Sequence, residues 1–212
     1  MSAASSGSAA ADEGGDAHAP PATRVPTLNV ANFLTLSRLV LVPLFVGALF
    51  TGDGTDVFWR SIATALFAVA SLTDQVDGWV ARKYGLITDF GKIADPIADK
   101  ALIGAALVGL SILGELGWWV TIVIAVREIG VTLLRFWVIR HGVIPASRGG
   151  KAKTLAQIAA IVAYLLPLPE AVEPVRWILM GFALLLTVVT GFDYVLRALR
   201  LRAAGRRATQ RP

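Results

Sequence analysis

From Asn32 onward, apolar stretches of membrane-spanning length follow one another with only short polar breaks between them. They cover approximately residues 33–50, 57–80, 97–113, 118–139, 155–168 and 175–199. A hydrocarbon layer about 30 Å thick takes roughly 20 helical residues to cross. In lipid the backbone must satisfy its own hydrogen bonds, and the alternating strands of about ten residues that build a membrane barrel are missing here, so helices are the spanning elements. Only 17% of the residues are charged and 55% are hydrophobic, against the roughly 25% charge usual in soluble domains. The expected fold is therefore all-α: an integral membrane bundle of six transmembrane helices.

Two tails flank this domain of residues 25–200. Residues 1–24 are Ala, Ser, Gly and Pro with a few acids, too poor in large apolar side chains to offset the entropy of ordering. That segment is expected to be disordered, with His18 as a solvated residue, and it lacks the basic and apolar regions of a secretory signal. Residues 201–212 form a basic C-terminal tail.

The charges set the orientation. Loops at 51–56, 114–117 and 167–174 carry Asp53, Asp56, Glu115, Glu170 and Glu173, with only Arg60 and Arg176 at their flanks. Sixteen of the twenty basic residues fall on the other side, so both termini are expected in the cytoplasm. Trp59, Trp118, Trp119 and Trp177 fall at the opposite boundary, where amphipathic rings prefer to sit. The net charge of +5 thus reads as topology plus attraction to anionic membrane lipids. The Arg-rich stretch 197–211 lacks the aromatic interleaving that nucleic-acid stacking uses, so no nucleic acid is expected as partner. With no cysteine, any metal must be held by oxygen or imidazole, and with only His18 and His141 available carboxylate ligation is favoured, which points to hard cations such as Mg²⁺ or Mn²⁺.

The second apolar stretch ends in Ser-Leu-Thr-Asp-Gln-Val-Asp-Gly, which places Asp74 and Asp77 in its last turns on one helix face. Ionisable groups at such depth are functional suspects. Further on, Asp95 and Asp99 share a face at i and i+4 ahead of the third stretch. Asp95 followed by Pro96 also reads as a helix N-cap with proline at the first helical position, a reading that leaves Asp99 unexplained. Two adjoining helices thus bring four carboxylates to one membrane boundary. Their repulsion is relieved most simply by a pair of divalent cations, an arrangement suited to displacement at phosphorus.

Asp74, Asp77, Gly78, Ala81, Arg82, Gly91, Asp95 and Asp99 together make a string that resembles the signature of the CDP-alcohol phosphatidyltransferase family. Members are integral membrane enzymes in which the hydroxyl of one alcohol displaces CMP from a CDP-linked alcohol. The resemblance implies that Asp74, Asp77, Asp95 and Asp99 hold two Mg²⁺, and that Asp99 is the base accepting the hydroxyl proton. It implies CDP-diacylglycerol binding by Asp74, Gly78, Ala81, Arg82 and Gly91, a homodimer, and a cytoplasm-facing site in the plasma membrane.

Two more segments bear on the acceptor. Arg127-Glu128-Ile lies within the fourth apolar stretch, and Ser147-Arg-Gly-Gly-Lys-Ala-Lys-Thr precedes the fifth as a Gly-rich basic loop. Arg127 has a second reading as half of a buried structural pair, Arg135 one as a snorkelling residue, and the loop cations one as topology charges. Taken as a site, Arg127, Arg148, Lys151 and Lys153 suit a phosphate dianion. These segments, with Asn29 to Arg38 at the start of the first stretch, are similar to the branch of the family that uses sn-glycerol 3-phosphate as acceptor. Inositol phosphate and phosphatidylglycerol are the alternative acceptors. A prenyltransferase, or a non-enzymatic membrane transporter using intramembrane charge, is the alternative of another class.

Overall fold

The computed structural model describes residues 30–84, 89–138 and 148–209, with side chains for 33–73, 97, 98, 100–134 and 150–200. The helices are α1 (Val30–Phe50), α2 (Val57–Tyr84), α3 (Asp89–Ile112), α4 (Trp118–Val138), α5 (Arg148–Leu165) and α6 (Glu173–Thr209). Two short 3-10 turns, Thr51–Gly54 and Glu170–Val172, complete the order. Among the described residues there is no strand, so the all-α expectation holds. The segment 1–24 with His18, and the 139–147 connection with His141, lie outside the described residues.

Three boundaries differ from the expectation. Helix α3 begins at Asp89, so Asp95 is an interior residue and the N-cap reading of Asp95-Pro96 is wrong. Helix α5 begins at Arg148, so the expected Gly-rich loop is instead the helix's first turns. Gly149 and Gly150 each cost about 1 kcal/mol relative to alanine in a helix, but the side chains of Lys153 and Gln157 are anchored to other helices and hold these turns in place. Helix α6 has 37 residues, about 55 Å at 1.5 Å per residue, and carries the backbone of the basic tail to Thr209.

Helix α1 packs along α2 and α3, α6 along α4 and α5, and α2 and α3 touch each other and α5. Phe45 of α1 meets Phe67 of α2 with ring centroids 5.7 Å apart. Around this pair the core gathers Leu49, Ala63, Ala106, Leu110, Ile124 and Ile161. Large apolar side chains also cover the outside of the bundle, among them Leu72, Val126, Leu133, Ile178 and Phe192, each more than 60% exposed. Soluble monomers rarely present so much apolar surface. The stretches Phe33–Gly54 and Glu170–Arg200 are long and apolar enough to cross a membrane, and each is mostly unburied within the bundle, unlike a soluble core helix. Within the described side chains α2 and α3 carry the further apolar helical segments Val57–Thr73 and Lys100–Ile112. Helix α4 is interrupted by Arg127, Glu128 and Arg135.

One end of the bundle holds the α1–α2, α3–α4 and α5–α6 connections. Arg60, taken from sequence as a loop-flanking charge, is buried there at 5% exposure. Its guanidinium grips both carboxylate oxygens of Glu115 and donates to the carbonyls of Gly54 (3.2 Å), Tyr164 (2.6 Å) and Leu165 (3.2 Å). Gly54 has φ +71°, a conformation L side chains avoid, and a Cβ there would strike Leu113 at 2.6 Å. Trp59, Trp118, Trp119 and Trp177 stand exposed near the starts of α2, α4 and α6 at this same end. The helix termini Val30 and Thr209 belong to the other end, where the functional residues gather.

Candidate functional site

Asp74, Asp77, Gly78, Ala81 and Arg82 lie on α2, and Gly91, Asp95 and Asp99 on α3. Both segments are helical, so the i, i+3 and i, i+4 relations read from the sequence stand on regular backbone. The side chains of these eight residues lie outside the described ones. The residue types on these two touching helices, four aspartates, offer oxygen donors only, the kind a hard divalent cation takes, so they fit such an ion by their chemistry. Among the described side chains no other cluster of three or more metal-ligating groups occurs.

Directly beyond Asp99, α3 enters the wall of a cavity of about 220 Å³ shared with α4 and α5. One part of it is polar, with Lys100, Glu128, Lys153, Thr154 and Gln157; Leu107, Val108, Ile124 and Ala125 line the rest. Glu128 is the hub of the polar part. Its Oε1 accepts from the Lys153 ammonium and, at 2.9 Å, from Arg127 Nη1, while its Oε2 lies 3.4 Å from Lys100 Nζ. Three helices therefore converge on one carboxylate.

Helix α6 supports this hub from behind. Arg127 donates through Nε to the Thr187 carbonyl (3.1 Å) and through Nη2 to Thr190 Oγ1 (2.9 Å). Gln157 donates to Thr187 Oγ1 at 2.9 Å. Gly191 permits the close approach: a Cβ there would sit 3.0 Å from Arg127 Cγ and 3.1 Å from its Nε. Lys153 lies two residues ahead of the fifth apolar stretch. Burial draws its ammonium below the ordinary lysine range, with Arg127 and Lys100 acting in the same direction and the Glu128 carboxylate opposing them.

Of the four residues expected to bind an acceptor phosphate, the structure brings Arg127 and Lys153 together through Glu128. The paired reading of Arg127 is the one the geometry supports. Lys151 is exposed, because on a helix two residues of separation turn it away from Lys153. The Arg148 and Arg135 side chains lie outside the described residues. From sequence Lys100 counts among the topology charges and Glu128 is only the acid beside Arg127, while Gln157, Thr187 and Thr190 carry no assigned role. The available signal was an acid next to Arg127 inside an apolar helix.

The CDP-alcohol phosphatidyltransferase family model matches residues 28–189, which take in α1 to α5 and the first half of α6, and the chain belongs to that family. A probable phosphatidylglycerophosphate synthase of Mycobacterium tuberculosis is 56% identical over 179 residues, covering 84% of this chain and 86% of that protein. A CDP-diacylglycerol–glycerol-3-phosphate 3-phosphatidyltransferase of Bacillus subtilis is 40% identical over 78% of this chain and 93% of its own length. One of the same name from Yersinia pestis is 35% identical over 79% and 93%.

Proposed function

We propose that the chain transfers the phosphatidyl group of CDP-diacylglycerol to sn-glycerol 3-phosphate, releasing CMP, the reaction named in its relatives. The observation that carries this reading is the cationic cavity that begins one residue beyond Asp99, the last of the four aspartates. A phosphorylated acceptor suits that cavity better than serine does, since two lysines, Lys100 and Lys153, line it against the single carboxylate of Glu128.

In the reaction, the primary hydroxyl of glycerol 3-phosphate forms a bond to the lipid-linked phosphorus of the diphosphate. The bond from that phosphorus to the bridging oxygen breaks, and CMP leaves with the electron pair. Asp99 accepts the hydroxyl proton. Gly78, Ala81 and Gly91 would leave room for the cytidine, and Arg82 would serve its diphosphate. Lys153 holds the acceptor's phosphate, with Arg148 and Lys151 nearer the start of α5. Two Mg²⁺ or Mn²⁺ held by Asp74, Asp77, Asp95 and Asp99 would supply neutralisation of the diphosphate charge.

In this reading all six helices cross the plasma membrane as a homodimer, with both termini and the site on the cytoplasmic side. The acyl chains stay in the bilayer while the polar substrates meet at its inner boundary. The test is CMP release by purified protein with CDP-diacylglycerol and Mg²⁺, comparing glycerol 3-phosphate, inositol 1-phosphate, serine and phosphatidylglycerol. Release only with glycerol 3-phosphate is expected. Release with another acceptor overturns the acceptor, and release with none overturns the family chemistry for this chain.

A further inference from the structure

Glu128 engages two lysines from different helices on its two oxygens: Lys153 of α5 on Oε1 and Lys100 of α3 on Oε2, the latter at 3.4 Å. Both lysines line the cavity, and each ammonium carries three N–H donors, of which Glu128 takes one among the described residues. Arg127 is different. Its guanidinium is tied to Thr187 and Thr190 of α6 as well as to Glu128 and does not line the cavity. It anchors the carboxylate, and the carboxylate holds the lysines.

We propose that Lys100 is a binding residue for the acceptor's phosphate, and that Glu128 is the positioning residue that holds Lys100 and Lys153 as a pair facing one phosphate dianion. This rests on the reading above that the acceptor is a phosphorylated alcohol. Three points support it. The lysines approach opposite oxygens of one carboxylate, so a dianion above that carboxylate meets an ammonium from either side. Glu128 itself is four-fifths buried, and its neighbours Arg127 and Gln157 are fixed to α6, so the pair has a rigid base. Finally, Lys100 follows Asp99 directly on α3. Phosphate and reacting hydroxyl of glycerol 3-phosphate are separated by a three-carbon chain, comparable in reach to the roughly 5.4 Å of one helical turn. A phosphate held at Lys100 thus keeps the hydroxyl beside the Asp99 position.

The experiment is steady-state CMP release with varied glycerol 3-phosphate for the wild-type chain, Lys100→Met, Lys100→Arg, Glu128→Gln and the Lys100→Met/Glu128→Gln double variant. Inorganic phosphate serves as a competitive probe of the same subsite. Lys100→Met is expected to raise the KM for glycerol 3-phosphate about tenfold and weaken phosphate inhibition in parallel, with the KM for CDP-diacylglycerol within twofold. Lys100→Arg should recover most of that loss. In the Glu128→Gln background the tenfold effect of Lys100→Met should shrink to about twofold, because the pair is already released.

A KM within twofold of wild type for Lys100→Met overturns the binding role. An undiminished tenfold effect in the Glu128→Gln background overturns the positioning role. If Glu128→Gln does not fold, Glu128→Asp, which withdraws the carboxylate by one methylene, takes its place in the cycle. Wild-type protein that releases CMP without any dependence on glycerol 3-phosphate defeats the acceptor reading instead, so the two failures are distinguishable.

Discussion

Two buried ion clusters among the described residues, at Arg60 and at Glu128, are built to opposite specifications. At Arg60 one guanidinium meets one carboxylate, and the remaining donors go to three backbone carbonyls, so all five N–H groups are used and the charges cancel. At Glu128 one carboxylate faces Lys100, Lys153 and Arg127, and the lysines line a cavity. A closed, neutral cluster has nothing left to offer a ligand and acts by joining three connections. A cluster in which cations outnumber the carboxylate beside a cavity is suited to take an anion, as proposed above.

That contrast can be broken or sharpened by substitution. The largest effect is expected at Asp99 beside the open cluster: Asp99→Asn should reduce CMP release about 100- to 10,000-fold, as loss of a general base does. Its melting temperature should stay near wild type, and near-normal turnover would remove the base assignment. Next comes the closed cluster. Glu115→Gln leaves the Arg60 charge buried without its counterion and should cost about 3 kcal/mol of stability. Thermal unfolding should register that loss, while the folded fraction keeps its KM for glycerol 3-phosphate. A raised KM there would mean the two clusters are coupled.

Lys153→Met should cost about 1.4 kcal/mol of transition-state binding, read as a tenfold rise in KM for glycerol 3-phosphate. At the small end, Lys151→Ala should change that KM by less than about twofold, since exposed positions away from packed features are tolerant. Equal effects at Lys151 and Lys153 would show that the helical phase of α5 does not select the phosphate-binding face.

The sequence made the all-α architecture legible because hydrophobic runs of spanning length leave few alternatives. It also made the aspartate string legible, since i, i+3 and i, i+4 spacings are local. What it hid was long-range or conditional. Nothing near Arg60 announces Glu115, 55 residues away, or carbonyls more than a hundred residues away as its partners. Gly149 and Gly150 read as loop by propensity, and only the anchoring of Lys153 and Gln157 from other helices overrides that preference. Asp95-Pro96 carries a local start signal, yet the helix is already under way from Asp89. The reach of Glu128 to α3 and α5 depended on packing, which hydropathy does not encode.

The Arg60 cluster also bears on how the chain is made. Its Nε and one Nη2 donor are met by carbonyls of Leu165 and Tyr164, 105 and 104 residues later in the chain. At a synthesis rate of about 5–20 residues per second, those acceptors emerge roughly 5–20 s after the arginine that needs them. Until then the guanidinium must stay in contact with water or head groups. The end of the bundle remote from the site is therefore sealed only once α5 has been delivered, which makes this junction a late step of biogenesis.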